Sequence, residues 1–426
     1  MNTPPDELTV REEFFAPLTA ALRRSTCSRN CPDYTDQQHL ESGVGRVIAH
    51  VVSGREWVQH LWMKFDIGVS VSNFFAALRS VRRLQMVHEV AQDVRAQADG
   101  LIAKTDDPLA VHSELDGFAV YASDGHTHGA SAHEQLRGGK KRPVTHIYSL
   151  NLRTHTLIPL VLATAQAGRK REHELSALKR IGGDVLRMKE PTGVRVIHVY
   201  DPAIVDYAQW HKWKQGRGIY ILTLEKRNSA LITIGNSQWD RDDPRNIGVV
   251  ADEFVGPSNG HMLRRITYVD PITGKRFSFL INEFTLPPGL IAFLYKLRWD
   301  VEKTFDEIKN KTYEQKAWAG NAAAKSQQAL FISITHNLMR MLEMKLHHED
   351  GITDQKNAHK RRARMTEDLS KAEAAGRTPN PLVTAWHRST QRCCQFIRWL
   401  RGCLTDSTPW REALALLRPL MAEYLA

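Results

Sequence analysis

Four polar residues share one face of a predicted helix in the last third of the chain. Tyr295, Arg298, Glu302 and Lys309 lie in the stretch LYKLRWDVEKTFDEIKNK, residues 294–311. At about 100° per residue, their offsets place the four side chains within roughly 60° of one another. A lone carboxylate between cations is typical of a metal ligand among phosphate-binding groups. Ion pairs along a solvated helix face give the same spacing, so the rest of the chain must separate the two interpretations.

Two aspartates follow predicted buried strands earlier in the chain. The apolar run GFAVYASDG reaches Asp124 just before a glycine, and VRVIHVYD (194–201) ends on Asp201. Taken singly, Asp124 is also typical of a turn, and Asp201 before a proline is also typical of a helix cap. Together with Glu302 they offer three carboxylates without a Ser-His-Asp or Cys-His arrangement. Such an oxygen-rich set favours two Mg²⁺ ions, with Mn²⁺ as a substitute.

The chemistry that such a set supports is displacement at phosphorus. Two ions about 4 Å apart activate a water or a 3′-hydroxyl and stabilise the departing oxygen, with no covalent protein nucleophile. On the same helix face, Arg298 would hold a flanking phosphate through its fork and Lys309 through a point charge. Tyr295 would add a hydroxyl donor. His126, His128 and His198 lie near these groups in the sequence, and we expect them to serve in packing around the site.

The elements that must position the carboxylates follow the order β-β-β-α-β-α-β, with the helix at 294–311 arriving later. A hairpin is predicted from THIYSLNL (145–152) and TLIPLVLAT (156–164), which only three residues separate. This order is that of the ribonuclease-H-like fold, an α/β architecture with a mixed five-stranded sheet covered by helices. Chains of this order bring carboxylates from the first strand, the fourth strand and a late helix to one end of the sheet.

The remaining segments give the predicted domain organisation. The N-terminal region is helical and carries Arg79, Arg82 and Arg83 near an apolar run, which suits either a DNA-contacting module or a plain packing domain. The predicted parts are N-terminal helices at 1–105, a catalytic domain at 106–227 and 290–346, a β-rich insertion at 228–289, a basic polar linker at 347–381, and C-terminal helices at 382–426. We expect the linker to be partly disordered or to act as a mobile DNA arm. The aromatic-rich C-terminal helices suggest a dimer contact, although they would equally pack on their own chain.

Charge and composition limit the partners. The chain has 426 residues and a net charge of +11, and the surplus lies after residue 100. A polyanion such as nucleic acid is the natural partner for such a chain. No apolar run approaches the ~18 residues of a membrane span, and the N-terminus does not resemble a secretory signal. The five cysteines form no disulfide framework. We therefore expect no membrane partner and a cytoplasmic, nucleoid-associated protein.

The motifs resemble a known family of enzymes. The spacing Y-x2-R-x3-E-x6-K around Glu302, with Trp299 after the arginine, resembles the YREK signature of DDE transposases of the insertion-sequence-four family. SDGHTH around Asp124, VIHVYD around Asp201 and the following GIYILTLEKRN resemble the family's other blocks. Together these blocks cover roughly residues 115–345.

The resemblance implies a ribonuclease-H-like fold with a β insertion before the glutamate. It implies metal-dependent cut-and-paste transposition by a homodimer bound to terminal inverted repeats and target DNA. The residues that it assigns are Asp124, Asp201 and Glu302 as the catalytic triad and metal ligands, and Tyr295, Arg298 and Lys309 as contacts to the DNA end.

Two positions depart from the family's pattern. Pro202 follows the second aspartate, where members of the family often have an arginine that contacts phosphate. Trp239 is the only tryptophan of the insertion and is assigned as a DNA contact, although it lies further before Tyr295 than a base-stacking role suggests. Two alternatives to a transposase stay open, namely a nuclease or resolvase of the same fold that only cleaves and a domesticated DNA-binding protein without turnover. Three retained carboxylates argue against the last.

Overall fold

One mixed sheet runs through the middle of the chain, with helices on both faces. The computed structural model describes residues 8–51, 53–103, 106–136, 139–163, 172–257, 260–384 and 391–422. Its strands are β1 Phe118–His128, β2 Val144–Asn151, β3 Leu157–Ala163, β4 Arg195–Val199, β5 Ile219–Leu224, β6 Ile232–Asn236, β7 Val249–Gly256, β8 Leu263–Val269 and β9 Arg276–Ile281. The strand order is β3-β2-β1-β4-β5-β9-β8-β7-β6.

The centre of the sheet is parallel, and both of its flanks are antiparallel. Strand β4 pairs in parallel with β1 on one side and β5 on the other. Strands β2 and β3 form the predicted hairpin, which is confirmed. His155 in the connection adopts a left-handed φ of 63°. Because helices cover both faces, the central strands are nearly continuous apolar runs, as expected for buried parallel strands.

The β-rich insertion extends this sheet. The prediction was a five-stranded sheet with a β-rich insertion, but β9 of the insertion pairs antiparallel with β5, and β8, β7 and β6 continue the same sheet. The prediction of β structure in the insertion is confirmed, and the prediction of a five-stranded sheet is wrong. The physical reason is that the outer edge of β5 would otherwise expose unpaired backbone N–H and C=O groups, which β9 satisfies.

Helices precede, cover and follow the sheet. They are α1 Val10–Arg24, α2 Asp36–Ala49, α3 Gly54–Phe65, α4 Val71–Arg79, α5 Val81–Ile102, α6 Glu174–Leu186, α7 Tyr207–Arg217, α8 Pro288–Leu297, α9 Trp299–Asp306, α10 Ala322–His348, α11 Gln355–Ala374, α12 Pro381–Thr384, α13 Cys394–Asp406 and α14 Trp410–Met421. Within the described ranges, no helix has the length and apolar character that crossing a membrane requires. All five cysteines are free thiols.

Helix α10 joins the N-terminal helices to the sheet. The side-chain amide of Gln327 donates to the backbone carbonyl groups of Ala77 and Leu78 in α4. Nearly three turns further on, the Asn337 side chain accepts from the Leu157 N–H and donates to the Leu157 carbonyl at the start of β3. A buried polar helix residue at each end of the contact thus fixes how the N-terminal region sits on the catalytic region.

The arginine cluster near residue 80 is mostly used inside the N-terminal region. Arg82 holds Asp36 with both of its terminal nitrogens at 2.7 Å, and the Arg83 Nε lies 3.1 Å from the same carboxylate. Arg83 also donates to the Tyr34 carbonyl. These two arginines therefore serve packing, whereas Arg79 stays exposed at the end of α4.

The structure bears on two C-terminal expectations, the character of the linker and the open choice between a dimer contact and packing on the same chain. Residues 355–374 form helix α11 where an irregular linker or mobile arm was expected, because Ala, Lys, Arg and Glu favour helix even without an apolar stripe. The C-terminal helices fold back on their own chain, since Leu400 and Leu417 belong to the same hydrophobic core as Phe14. The Val10 N–H donates to the Thr408 carbonyl beside them. Most of the described apolar residues that suggested a dimer contact are thus buried within one chain, whereas Leu420 is 37% exposed.

Candidate active site

Asp124 lies within strand β1 and not in a turn. Strand β1 continues beyond it to His128, and Asp124 faces Tyr148 in the neighbouring strand β2. The Gly125 N–H donates to the Asp124 Oδ1 over 2.7 Å. The turn interpretation is therefore wrong, and the carboxyl group is held on a rigid element.

Asp201 follows strand β4 by two residues, beside Asp124. Its Oδ1 accepts from the Ala203 N–H at 2.9 Å. The cap of the next helix is Asp206, whose side chain accepts from the Gln209 N–H. The helix-cap interpretation of Asp201 is wrong. The carboxyl group instead stands where β4 leaves the sheet, at the edge where parallel strands present their last residues.

Glu302 comes from a helix that is less regular than predicted. The expected continuous helix over 294–311 ends at Leu297, resumes at Trp299, and widens into a π-helical turn at Glu307–Lys311. Its apolar stripe is confirmed, because each member is buried: Leu294, Leu297, Val301, Phe305 and Ile308. Phe305 anchors the helix against β1 and β2, with its ring centroid 4.9 Å from that of His126 and 5.7 Å from that of Tyr148.

Arg298 connects the helix to the strand. One terminal nitrogen lies 2.7 Å from the Glu302 Oε1 and 3.8 Å from the Asp124 Oδ2. The guanidinium carbon also lies 5.6 Å from the Tyr295 ring centroid and 5.4 Å from that of Trp299. Arg298 and Tyr295 are buried, so this part of the helix is not a solvated ion-pair face. The guanidinium neutralises carboxylates that come from distant parts of the chain.

The electrostatics place Asp201 in the same group. Burial raises the pKa of Asp124 to about 6, and the negative charges of Glu174 and Asp201 add to this increase. The Gly125 N–H and the Arg298 guanidinium oppose it. Burial also raises the pKa of Tyr295, with smaller contributions from the charges of Asp201 and Glu302. The structure therefore brings Asp124, Asp201, Glu302, Arg298 and Tyr295 within electrostatic reach of one another.

Glu174 is a fourth carboxylate that sequence reasoning missed. It opens helix α6, and its carboxylate oxygen occupies the space where a side chain on Gly125 would begin. A Cβ at Gly125 would overlap with that oxygen, so a larger residue beside Asp124 would require the Glu174 side chain to move. In the sequence, Glu174 reads only as an acidic residue in the first turn of a helix, where such residues are common. No neighbouring residue in the sequence distinguishes Glu174 from other acidic residues at helix starts.

The histidines near the site are packing residues, as expected. Burial lowers the pKa of His126 to about 3 and that of His128 to about 4. The ring of His128 is bonded to the backbone carbonyl of Glu314, and that of His198 to the carbonyl of Leu186. Burial disfavours the charged form of these rings, and the two hydrogen bonds tie strands β1 and β4 to neighbouring segments.

Lys309 and Trp239 lie outside the carboxylate group. Lys309 is exposed on the π-helical turn, further along the same helix face. Trp239 follows β6, the outermost strand, with the Arg241 guanidinium 5.0 Å from its ring centroid. Five strand positions separate β6 from β4, about 24 Å at the usual spacing of ~4.8 Å. Their roles as DNA contacts stay predictions.

The residues fit hard divalent cations by chemistry. In the described part of the chain, no group of three or more His, Cys, Asp or Glu side chains is arranged to hold a metal ion. The candidate donors are carboxylates, which Mg²⁺ prefers. The repulsion that raises the pKa of Asp124 is the kind that a bound cation relieves. Asp124 and Asp201 could hold such a cation directly, and Glu302 could join them by exchanging its contact with Arg298.

Comparison with known proteins agrees with this arrangement. Residues 116–338, more than half of the chain, match the family model described as the transposase DDE domain. The match begins just before β1 and ends within α10, so it contains Asp124, Asp201 and Glu302. A search of curated proteins finds no match.

Proposed function

The chain belongs to the transposase DDE domain family, and from that premise we propose that it moves an insertion sequence by cut-and-paste DNA transposition. Asp124, Asp201 and Glu302 are its proposed catalytic carboxylates. The observation that carries this assignment is the contact of Arg298 with both Asp124 and Glu302, because it joins residues 178 positions apart beside Asp201. This supports a shared site for the three.

The fold that we propose for the catalytic region is ribonuclease-H-like. Its support is the order β3-β2-β1-β4-β5 with β1, β4 and β5 parallel. In this arrangement the aspartates leave neighbouring strands at one edge. The helix that follows the insertion adds the glutamate.

The proposed cofactor is a pair of Mg²⁺ ions, with Mn²⁺ as a substitute, held by Asp124, Asp201 and Glu302. When bound, such ions lower the pKa of the attacking oxygen and stabilise the departing one. Of the chain's own groups, the Gly125 N–H and the Arg298 guanidinium favour the ionised form of Asp124, and Arg298 also orients Glu302. Burial of Tyr295 and Arg298 excludes water from one side of the site.

Cut-and-paste transposition requires both strands to be cut at each end of the element. On the strand that is joined to the target, the proposed reaction consists of two displacements at phosphorus. In the first, a water oxygen bonds to phosphorus while the bond to the 3′-oxygen breaks, which leaves a 3′-hydroxyl on the element. In the second, that hydroxyl oxygen attacks a phosphodiester of the target, and the target's own 3′-oxygen leaves. The attacking groups release their protons to solvent and the leaving oxygens take them up.

The proposed partners are terminal inverted repeats, target DNA and a second copy of the chain. The proposed DNA contacts are Tyr295, Arg298, Lys309 and Trp239, of which Arg298 acts mainly as the bridge between Asp124 and Glu302. Paired cutting of two ends needs two active sites, which favours a homodimer. Because C-terminal apolar side chains such as Leu400 and Leu417 are buried within one chain, the dimer contact would use another surface.

The test uses the purified protein, DNA carrying the element's two ends, a target plasmid and Mg²⁺. We expect end cleavage followed by joined products, and Glu302→Gln should abolish both while leaving DNA binding intact. Asp306→Asn is the matched control, because it makes the same acid-to-amide change one turn along the helix at an exposed position. Cleavage that survives Glu302→Gln would reject the site assignment. Cleavage without joined products would favour the nuclease alternative.

A further inference from the structure

A basic groove lies between the N-terminal helices and the catalytic region. Its volume is about 1220 Å³, and its walls come from helices α2, α3 and α4, the ends of β2 and β3, and residues 316–322. Six cations line the groove, and one of them, Lys325, is paired with Glu134. We define the basic groove by the other five, which are Arg46, Arg55, Arg79, Arg142 and Lys316. Of these five, Arg46 also packs inside the N-terminal region, where its guanidinium carbon lies 6.0 Å from the Phe74 ring centroid.

The rim of the groove carries uncompensated positive charge. Arg55, Arg79 and Lys316 are exposed, and Arg142 is half-buried. In the described part of the chain, none of these four takes part in an ion pair. The acidic residue that lines the groove, Glu134, is held by Lys325 at 2.8 Å. The groove therefore presents a positive electrostatic potential to any ligand that enters it.

Arg46 forms part of the wall with unused donors. It is 2% exposed, and its guanidinium carbon lies 4.4 Å from the Trp318 ring centroid. Its Nε and one terminal nitrogen have no hydrogen-bond partner within the described ranges. Burial lowers its pKa to about 10. A buried guanidinium with open donors beside a cavity is costly unless an anion or a carbonyl group satisfies it.

The groove begins close to the carboxylates. Strand β1 leads from Asp124 to His128, and the next residue, Gly129, forms a bridge with Lys316 on the groove wall. The Gly129 N–H donates to the Gln315 carbonyl at 2.8 Å. Five residues of extended strand span about 17 Å. At 3.4 Å per nucleotide along one strand, this is roughly five nucleotides of DNA.

We propose that the basic groove binds the phosphate backbone of the DNA that flanks the scissile bond. The proposal rests on the proposed function, since it needs DNA to be held at Asp124. The rim cations come from α3, α4, the approach to β2 and residue 316, so they are spread along the groove and suit successive phosphates better than a single anion. Phosphate contacts of this kind fix the position of DNA without reading its sequence.

The test compares two triple variants of the full chain on duplexes that carry an element end and flanking DNA. The groove triple is Arg55→Gln, Arg79→Gln and Lys316→Gln. The control triple removes the same charges from exposed positions away from the groove, through Arg23→Gln, Arg398→Gln and Lys64→Gln. Fluorescence anisotropy at several salt concentrations gives the affinity and its salt dependence. The single variant Lys316→Gln keeps the test valid if the groove triple folds poorly.

We expect the groove triple to reduce the slope of log affinity against log salt by about 2.7, and Lys316→Gln by about 0.9. The control triple should change the slope by much less. A groove triple that matches the control overturns the proposal. Competition by inorganic phosphate alone, with no change in slope, identifies a single-anion site and also overturns it.

Failure of the groove is distinguishable from failure of the proposed function. If the wild-type protein cleaves DNA and the groove triple binds normally, only the groove assignment is wrong. If the wild-type protein neither cleaves nor joins DNA, the proposed function is wrong, whereas the comparison of salt slopes still reports on the groove. If the groove triple and the wild type cleave DNA without the flank at the same rate, the groove acts in binding the flank and not in the cleavage step.

Discussion

Asp124 and Asp201 continue one parallel register. The last pair of strands β1 and β4 is Ala122 with Val199, and each aspartate lies two residues beyond its member of that pair. Neighbouring strands are about 4.8 Å apart, so this register alone brings the two carboxyl groups close together. Because Glu302 comes from a helix, no strand register positions it, and the Arg298 guanidinium holds it instead. The site is thus built by a sheet register and one buried cation.

The first prediction concerns stability without divalent cations. Burial raises the folded-state pKa of Asp124 to about 6, above its unfolded value near 3.9. Folding therefore favours the protonated form of Asp124. Its contribution to the free energy of unfolding is fully present below about pH 4 and is lost as pH rises through 6. Between pH 4 and pH 7, the free energy of unfolding of the wild type should fall by up to about 3 kcal/mol because of Asp124, and Asp124→Asn should remove this fall. Urea unfolding of both proteins at the two pH values, in EDTA, measures it. Equal pH dependence in the two proteins would contradict the raised pKa.

The second prediction follows from the contact between Gly125 and Glu174. Gly125→Ala places a Cβ against the Glu174 carboxylate, so Glu174 or strand β1 must move and cleavage should fall. Glu174→Ala in the same chain removes the obstruction and should restore part of the cleavage rate. A double-mutant cycle on cleavage rates gives the coupling, which we expect to be about 1 kcal/mol or more. Additive effects would show that the two positions act separately.

The third prediction separates the two roles offered for Arg298. As a buried bridge between Asp124 and Glu302, Arg298→Lys keeps the charge but loses the planar fork. We expect cleavage to fall by at least tenfold while affinity for the DNA end changes little. If Arg298 mainly held a phosphate, affinity would fall and the salt slope with it. Parallel anisotropy and cleavage assays decide between these results.

Short sequence patterns predicted those parts of the site that depend only on one helix or one strand. The apolar stripe around Phe305 and the strand before Asp201 follow from side-chain periodicity, so the sequence was sufficient for them. Glu174 and the pairing of β9 with β5 depend on contacts between distant segments, which no window of sequence contains. The return of Leu400 to the N-terminal core is of the same kind, because an apolar helix does not specify its partner.

The fourth prediction concerns Lys309. It is exposed on the π-helical turn beside the site, so a contact with a DNA phosphate would add one released counterion. Lys309→Ala should then lower the salt slope by about 0.9. Lys303→Ala is the control on the same helix, because Lys303 is already paired with Asp300 at 3.3 Å. Equal slopes for the two variants would show that Lys309 lies on a solvated helix face and contacts no DNA phosphate.

The last prediction tests the role of the C-terminal helices. Leu400 of α13 is fully buried in the core that contains Phe14 of α1, whereas Leu416 of α14 is 54% exposed. Leu400→Ala should therefore cost about 2–5 kcal/mol in the free energy of unfolding, because it leaves a cavity. Leu416→Ala should change that free energy by no more than about 0.5 kcal/mol.

Urea unfolding of both variants measures the difference, and size-exclusion chromatography on end DNA gives the oligomeric state. If the tail served mainly as a dimer contact, Leu400→Ala would dissociate the complex and leave the stability of the monomer unchanged. Truncation after Asn380 extends the same argument. Because it removes α13 and α14 from the core of their own chain, we expect the truncated protein to unfold rather than to persist as a stable monomer that binds one DNA end.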